Sequence, residues 1–180
     1  FARDNFGPNV DNHVLLDSPD AVIAQGNHNQ VPLIIGANTD ETAQWTPQIA
    51  DVAAYEALIQ ARFGPLSSLV LQEYPASDYS TPRKAFLALT TDVQFICPMR
   101  RVAQAASLHA PPVYFYRFGK AFENTPLSLL GAFHGIELFY IFQKLDEWAA
   151  YSPTAVDQAV QAAMADYWGT FAANGNLIGT

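Results

Sequence analysis

Cysteine occurs once in these 180 residues, at Cys97, which excludes an internal disulfide framework and any multi-cysteine metal site. Charge is scarce: Asp, Glu, Lys and Arg make up 14% of the chain, against about 25% in ordinary soluble domains. Basic charge is scarcer still. Lys and Arg number 9 against 17 Asp and Glu, for a net charge of −8, and the basic residues form no cluster longer than Arg100-Arg101. The sequence therefore predicts no nucleic-acid partner. No apolar run reaches about 18 residues before Pro, Gly, Asn or Gln interrupts it, so no membrane span is expected. Phe1-Ala2-Arg3-Asp4 has neither the charged nor the apolar region of a signal peptide. No repeat or Gly/Ser linker divides the chain, and no pattern requires a metal or organic cofactor.

Apolar surface is abundant. Half the residues are hydrophobic and 13% are aromatic, which excludes disorder because burial can offset the entropy of folding. The length suits one domain. A surface with so few charges implies that part of it is covered by another subunit or by another piece of the same fold.

Local signals give the order of elements. Gly7-Pro8-Asn9, Asp11-Asn12 and Asp17-Ser18-Pro19 are turn chemistry, and Ser18 with Pro19 predicts a short helix ending at Gly26. Val31-Pro32-Leu33-Ile34-Ile35-Gly36 reads as a strand buried on both faces, followed by a polar loop, Ala37 to Thr42. Helices are expected over 51–62, 66–72, 82–91 (capped by Thr81) and 98–108, the last stopped by Pro111-Pro112. A second strand is expected at Val113-Tyr114-Phe115-Tyr116-Arg117-Phe118, then a loop over 119–135 and a long helix over 153–173. Strands alternating with helices predict an α/β fold with a parallel sheet, and in such sheets chemistry gathers at the carboxyl ends of the strands.

Each loop at those ends carries a candidate. Asp40-Glu41 follows the first strand, and two adjacent acids alone read as solvated loop charge. His134 follows the second, in Gly131-Ala132-Phe133-His134-Gly135-Ile136-Glu137-Leu138, and a single histidine among small and aromatic residues reads as structural. A carboxylate after one strand and a histidine after the next are together what an acid-oriented general base requires.

Gln30-Val31-Pro32-Leu33-Ile34-Ile35-Gly36-Ala37-Asn38-Thr39-Asp40-Glu41 resembles the segment that holds the triad acid of type-B carboxylesterases, the cholinesterase-like α/β hydrolases. Gly131 to Leu138 resembles the segment with their triad histidine. Phe6 to Asp11, Leu16 to Pro19, Thr91 to Pro98 and Tyr167 to Asn176 resemble further stretches of the family in the same order. The resemblance implies the C-terminal portion of an α/β-hydrolase fold, with the last parallel strands of the central sheet and their flanking helices. It also implies that Glu41 is the orienting acid, with Asp40 the lesser candidate, and that His134 is the base. Thr42 stands where the family usually has glycine.

The nucleophile elbow G-x-S-x-G is absent, none of the serines sits between glycines, and no Gly-rich oxyanion run occurs. Since the family's order is Ser, acid, His, residues 1–180 are expected to be one part of a serine carboxylesterase domain, incomplete at both ends, with Gly175 to Thr180 stopping early. The implied substrate is a small uncharged carboxylic ester, and the implied partner is the missing N-terminal part of the same fold. An alternative is a non-catalytic cholinesterase-like binding or adhesion module. Export is common in the family, and one cysteine suits either compartment.

Lesser expectations complete the reading. In the family Cys97 often pairs with a later cysteine; with none here, a buried thiol is expected. Glu137 is expected to be a structural partner. His13, His28 and His109 are expected to be exposed, and Trp168 to be helix core. Trp45, Phe133, Phe139, Tyr140 and Phe142 fit either a ligand pocket or core packing.

Overall fold

The computed structural model describes residues 9–109, 112–147 and 151–177. Phe1 to Pro8, Pro111 and Ile178 to Thr180, which carried some of the turn, stop and terminus expectations, lie outside the described residues. Two strands, β1 (Leu33–Asn38) and β2 (Val113–Phe118), pair in parallel from Leu33 opposite Val113 to Asn38 opposite Phe118. Between them the chain passes through α2 (Val52–Phe63), α3 (Ser67–Glu73), α4 (Pro82–Thr91) and α5 (Cys97–Ser107); α1 (Pro19–Ala24) precedes β1, and α6 (Ile136–Ile141) and α7 (Ala155–Asn174) follow β2. The expected α/β fold with a parallel sheet is the observed one.

Alternation along β2 layers the structure. Tyr114 and Tyr116 meet Phe171 and Trp168 of α7 edge-on, at ring-centroid distances of 6.1 and 5.1 Å. Val113, Phe115 and Arg117 face a shallow groove shared with Arg100, Ala103 and Gln104 of α5. The strands approach closely at Gly36, where a Cβ would lie 2.2 Å from the Tyr116 carbonyl oxygen. Only glycine fits there.

One core cluster lies beyond the carboxyl ends of the strands and under α6: Phe118, Phe122, Phe133, Ile136, Tyr140 and Leu145. A second joins α2 to α4 through Tyr55, Ile59, Ala85, Phe86 and Leu89. Asp157 is fully buried beneath the first. Its carboxylate accepts hydrogen bonds from Tyr140 and Tyr151 and from the Thr154 N–H and hydroxyl, and Lys120 Nζ lies 2.8 Å away. Burial alone pushes this carboxyl up, but the Lys120 ammonium, the tyrosines and Thr154 outweigh it and hold the group well below the usual aspartate range.

Several expectations need correction. The first strand starts two residues late, because the Pro32 nitrogen cannot donate to the ladder. It is buried only at Gly36, Ala37 and Asn38, so burial on both faces holds for its carboxyl half alone. Pro98 does not open a separate helix. The chain runs from α4 through a π-helical turn, Asp92–Ile96, into α5, and the Cys97 N–H bonds the Asp92 carbonyl. The wider turn accommodates a proline that has no hydrogen to offer. A short 3₁₀ turn, Pro126–Leu130, interrupts the expected loop over 119–135, and α6 was not anticipated. Cys97 is exposed rather than buried, because the continuous helix turns Ile96, Ala103 and Ala106 inward and Cys97 lies about 100° round from Ile96. His13 is exposed as expected, but His28 and His109 are half-buried. Their rings meet edge-on at 6.3 Å, and His109 Nε2 donates to the Ala24 carbonyl, joining the ends of α1 and α5. Trp168 is half-buried.

Candidate active site

Parallel pairing puts the ends of β1 and β2 side by side, so the loops that follow them meet. The Thr39 N–H extends the ladder to the Phe118 carbonyl at 2.9 Å, and the Asp40 N–H reaches Ala132 O at 3.1 Å. This brings together the two residues singled out in the sequence. His134 Nδ1 lies 2.6 Å from Glu41 Oε2. A carboxylate can only accept, so Nδ1 carries the hydrogen and Nε2 is the nitrogen left to take a proton.

The pair is unequal in burial. Glu41 is 3% exposed, and its other oxygen accepts the Asn38 N–H at 2.7 Å. The His134 side chain is 55% exposed. Trp45 stands edge-on to the imidazole at 5.8 Å and Phe95 tilts against it at 5.4 Å, so the open histidine has two aromatic neighbours.

Local sequence sets these positions. Gly135, at φ +82°, turns the chain from His134 into α6 in a conformation few other residues adopt. Asn38, fully buried, donates its amide hydrogens to the Phe133 carbonyl at 2.8 Å and to Glu137. Glu137 is therefore the structural partner expected, and its partner is an asparagine. Thr42 Oγ1 lies 2.6 Å from Thr90 Oγ1, so the Thr42 hydroxyl ties the acid loop to α4.

Asp40 does not touch the histidine; it pairs with Lys84 Nζ at 2.9 Å. Among the aromatic candidates, Phe133 and Tyr140 are core, Phe139 is half-buried beside Phe122, Phe142 is largely exposed, and Trp45 alone stands against His134. Asn38, Lys84 and Phe95 carried no role in the sequence reading. Asn38 and Phe95 lie in the segments that carried the resemblance, but Lys84, in the first turn of α4, gave no signal. Among the described residues no group of three or more His, Cys, Asp or Glu could hold a metal ion, and no helix is long and apolar enough to cross a membrane.

A parallel sheet with an acid after one strand and a paired histidine after its neighbour defines part of an α/β-hydrolase fold. The chain belongs to the carboxylesterase family, whose model matches residues 2–179. It is 30% identical over 174 residues to the para-nitrobenzyl esterase of Bacillus subtilis, covering 95% of this chain and 35% of that protein. It is 27% identical over 187 residues to the human cocaine esterase, covering 93% of this chain and 33% of that protein. A solved para-nitrobenzyl esterase structure superposes with a TM-score of 0.71 at 29% identity, over 97% of this chain and 36% of its own. The chain thus spans about a third of the length of the relatives it matches.

Proposed function

We propose that this chain supplies the acid and base of a serine carboxylesterase acting on uncharged carboxylic esters, while the serine and the oxyanion-hole amides lie in an N-terminal part of the same protein. The observation that carries this reading is the 2.6 Å contact between His134 Nδ1 and Glu41 Oε2, with the imidazole half exposed. Nε2 takes the serine proton as the oxygen attacks the ester carbonyl. Glu41 holds the tautomer and stabilises the imidazolium, which then protonates the departing alcohol. Water, activated by the same nitrogen, releases the acid from the acyl-enzyme. Amides absent from this chain hold the oxyanion in both halves.

Other features support the division. The two relatives named above, from Bacillus subtilis and human, carry the names of esterases. Among the described residues the sheet has only two strands, each with an unpaired edge, and a sheet of that size is marginal alone. Phe115 on β2 is 41% exposed. An intact Glu41–His134 pair favours an enzyme over a binding module, which has no use for it; serine at the upstream elbow is expected, and glycine or alanine there would favour the module.

The test is hydrolysis of a short-chain p-nitrophenyl ester. The complete protein is expected to turn over, and Glu41→Gln to lower kcat on the order of 1,000- to 10,000-fold. These 180 residues alone are expected to show no rate above their His134→Ala control. Turnover by the 180 residues that vanishes in that control overturns the division between the two parts. An inactive complete protein overturns the esterase.

A further inference from the structure

We infer that Asp40, the acid that does not touch the histidine, is a positioning residue for the same reaction, fixing the height at which the histidine loop presents His134 to Glu41. This rests on the reading of Glu41 and His134 as acid and base. Asp40 and Ala132 are joined twice, in opposite senses: the Asp40 N–H donates to Ala132 O at 3.1 Å, and the Ala132 N–H donates to Asp40 Oδ2 at 3.1 Å. Ala132 lies two residues before His134, so the double tie sets where the loop leaves the acid loop.

The carboxylate is itself held from two sides. The Thr39 hydroxyl donates to Oδ2 at 2.9 Å and Lys84 Nζ to Oδ1 at 2.9 Å. Gly131 makes the fit possible: a Cβ there would lie 2.3 Å from Oδ2, so the carboxylate fills the space a side chain would occupy. Glu41, by contrast, meets the histidine loop at the imidazole, its other oxygen being held by the Asn38 N–H. Asn38 holds the loop at the Phe133 carbonyl, 2.8 Å away, and Asp40 holds it one residue earlier, at Ala132. Reaction geometry tolerates little displacement, and a misplacement of about 1 Å can cost on the order of 100-fold.

A Lys84–Asp40 pair that only stabilised the fold would lower Tm without changing the chemistry of the molecules that remain folded. The measurement is therefore kcat, KM and the His134 Nδ1–H proton resonance in the complete esterase and four variants. Asp40→Ala is expected to lower kcat on the order of 100-fold, to leave KM within about twofold, and to weaken or shift the downfield Nδ1 proton. Asp40→Asn still accepts from Ala132 N, and Lys84→Gln leaves that bond intact; each is expected to keep kcat within about fivefold of the parent.

Gly131→Ala crowds the carboxylate without removing it, and is expected to reproduce the kcat loss and the shifted resonance even if Asp40→Ala fails to fold. Parental kcat and an unmoved resonance in Asp40→Ala or in Gly131→Ala overturn the inference. So does Asp40→Asn as impaired as Asp40→Ala, since charge rather than the loop tie would then be what counts. A parent without His134-dependent hydrolysis is a different outcome, because it removes the acid–base reading beneath.

Discussion

The acid and the histidine touch, yet their surroundings differ. From Ala37 to Thr46 the acid loop is largely sunk: Ala37, Asn38, Glu41, Thr42, Ala43 and Thr46 are all buried. Glu41 has both oxygens engaged, one by backbone and one by the imidazole. The histidine loop rests on the aromatic core through Ala132 and Phe133 but lifts its ring into the open between Trp45 and Phe95. A buried acid with fixed partners is preorganised and does not move when charge develops on the ring, whereas the face of the base that meets a nucleophile has to stay accessible. The burial of one partner and the exposure of the other, in a chain that spans about a third of its relatives' length, are what the proposed roles would require.

That contrast is best broken from below. The open loop leads into α6, whose Tyr140 donates to Asp157 at 2.7 Å. Asp157→Ala removes the buried carboxylate on which Lys120, two tyrosine hydroxyls and Thr154 converge; Lys120 keeps Glu123 and the Ala121 carbonyl as acceptors. The expected loss is the largest here, about 3–5 kcal/mol in urea unfolding of the intact protein. The sign with pH follows from the depressed folded pKa. Asp157 contributes its stability in full above the ordinary aspartate pKa of about 3.9 and gives it up as pH falls below that toward the folded value. Asp157→Asn is therefore expected to flatten the acid limb of the stability curve below about pH 4; an unchanged limb would show that other carboxylates set it.

On the acid side the effects are smaller. Glu41→Ala leaves the buried Asn38 N–H without its acceptor, for an expected loss of about 1–3 kcal/mol in urea unfolding in addition to the loss of catalysis. Thr42→Val keeps the shape and removes the buried hydroxyl that meets Thr90 and accepts from Thr46, for about 1 kcal/mol, since both partners keep other acceptors. If Thr42→Val cost as much as Glu41→Ala, the acid loop would be held mainly by α4 rather than by its own end of β1.

Much of this was legible from the chain. Glu41 and His134 sit in two segments with distinctive neighbours, and adjacent parallel strands leave little freedom over where their following loops meet. Thr81 and Pro82 marked the start of α4 to the residue, because a cap and a first-turn proline are local chemistry. The π-helical turn was not legible: Pro98 looked like a beginning, and only the shifted hydrogen bonding ahead of it shows that the helix passes through. Asp157, in the first turn of α7, carries no role in the sequence reading. Its burial depends on Lys120, Tyr140 and Tyr151, which no local pattern assigns to it. The resemblance makes Asp40 the lesser candidate beside Glu41, and its tie to Ala132 spans 92 positions that no local pattern bridges.

The smallest expected effect gives the comparison its finest test. Trp45 is 49% exposed and meets His134 edge-on. Trp45→Ala should cost about 0.5 kcal/mol, the low end for an aromatic pair, since much of the ring is already in water. If the open side is where substrate arrives, the same change should act on binding: KM for an aromatic ester should rise while kcat for a short acetate ester stays close to the parent. A fall in kcat with KM unchanged would instead mean that Trp45 holds the imidazole in place. The histidine side would then be preorganised by its exposed aromatics much as the acid side is by burial, and the contrast between the two would be one of solvent access alone.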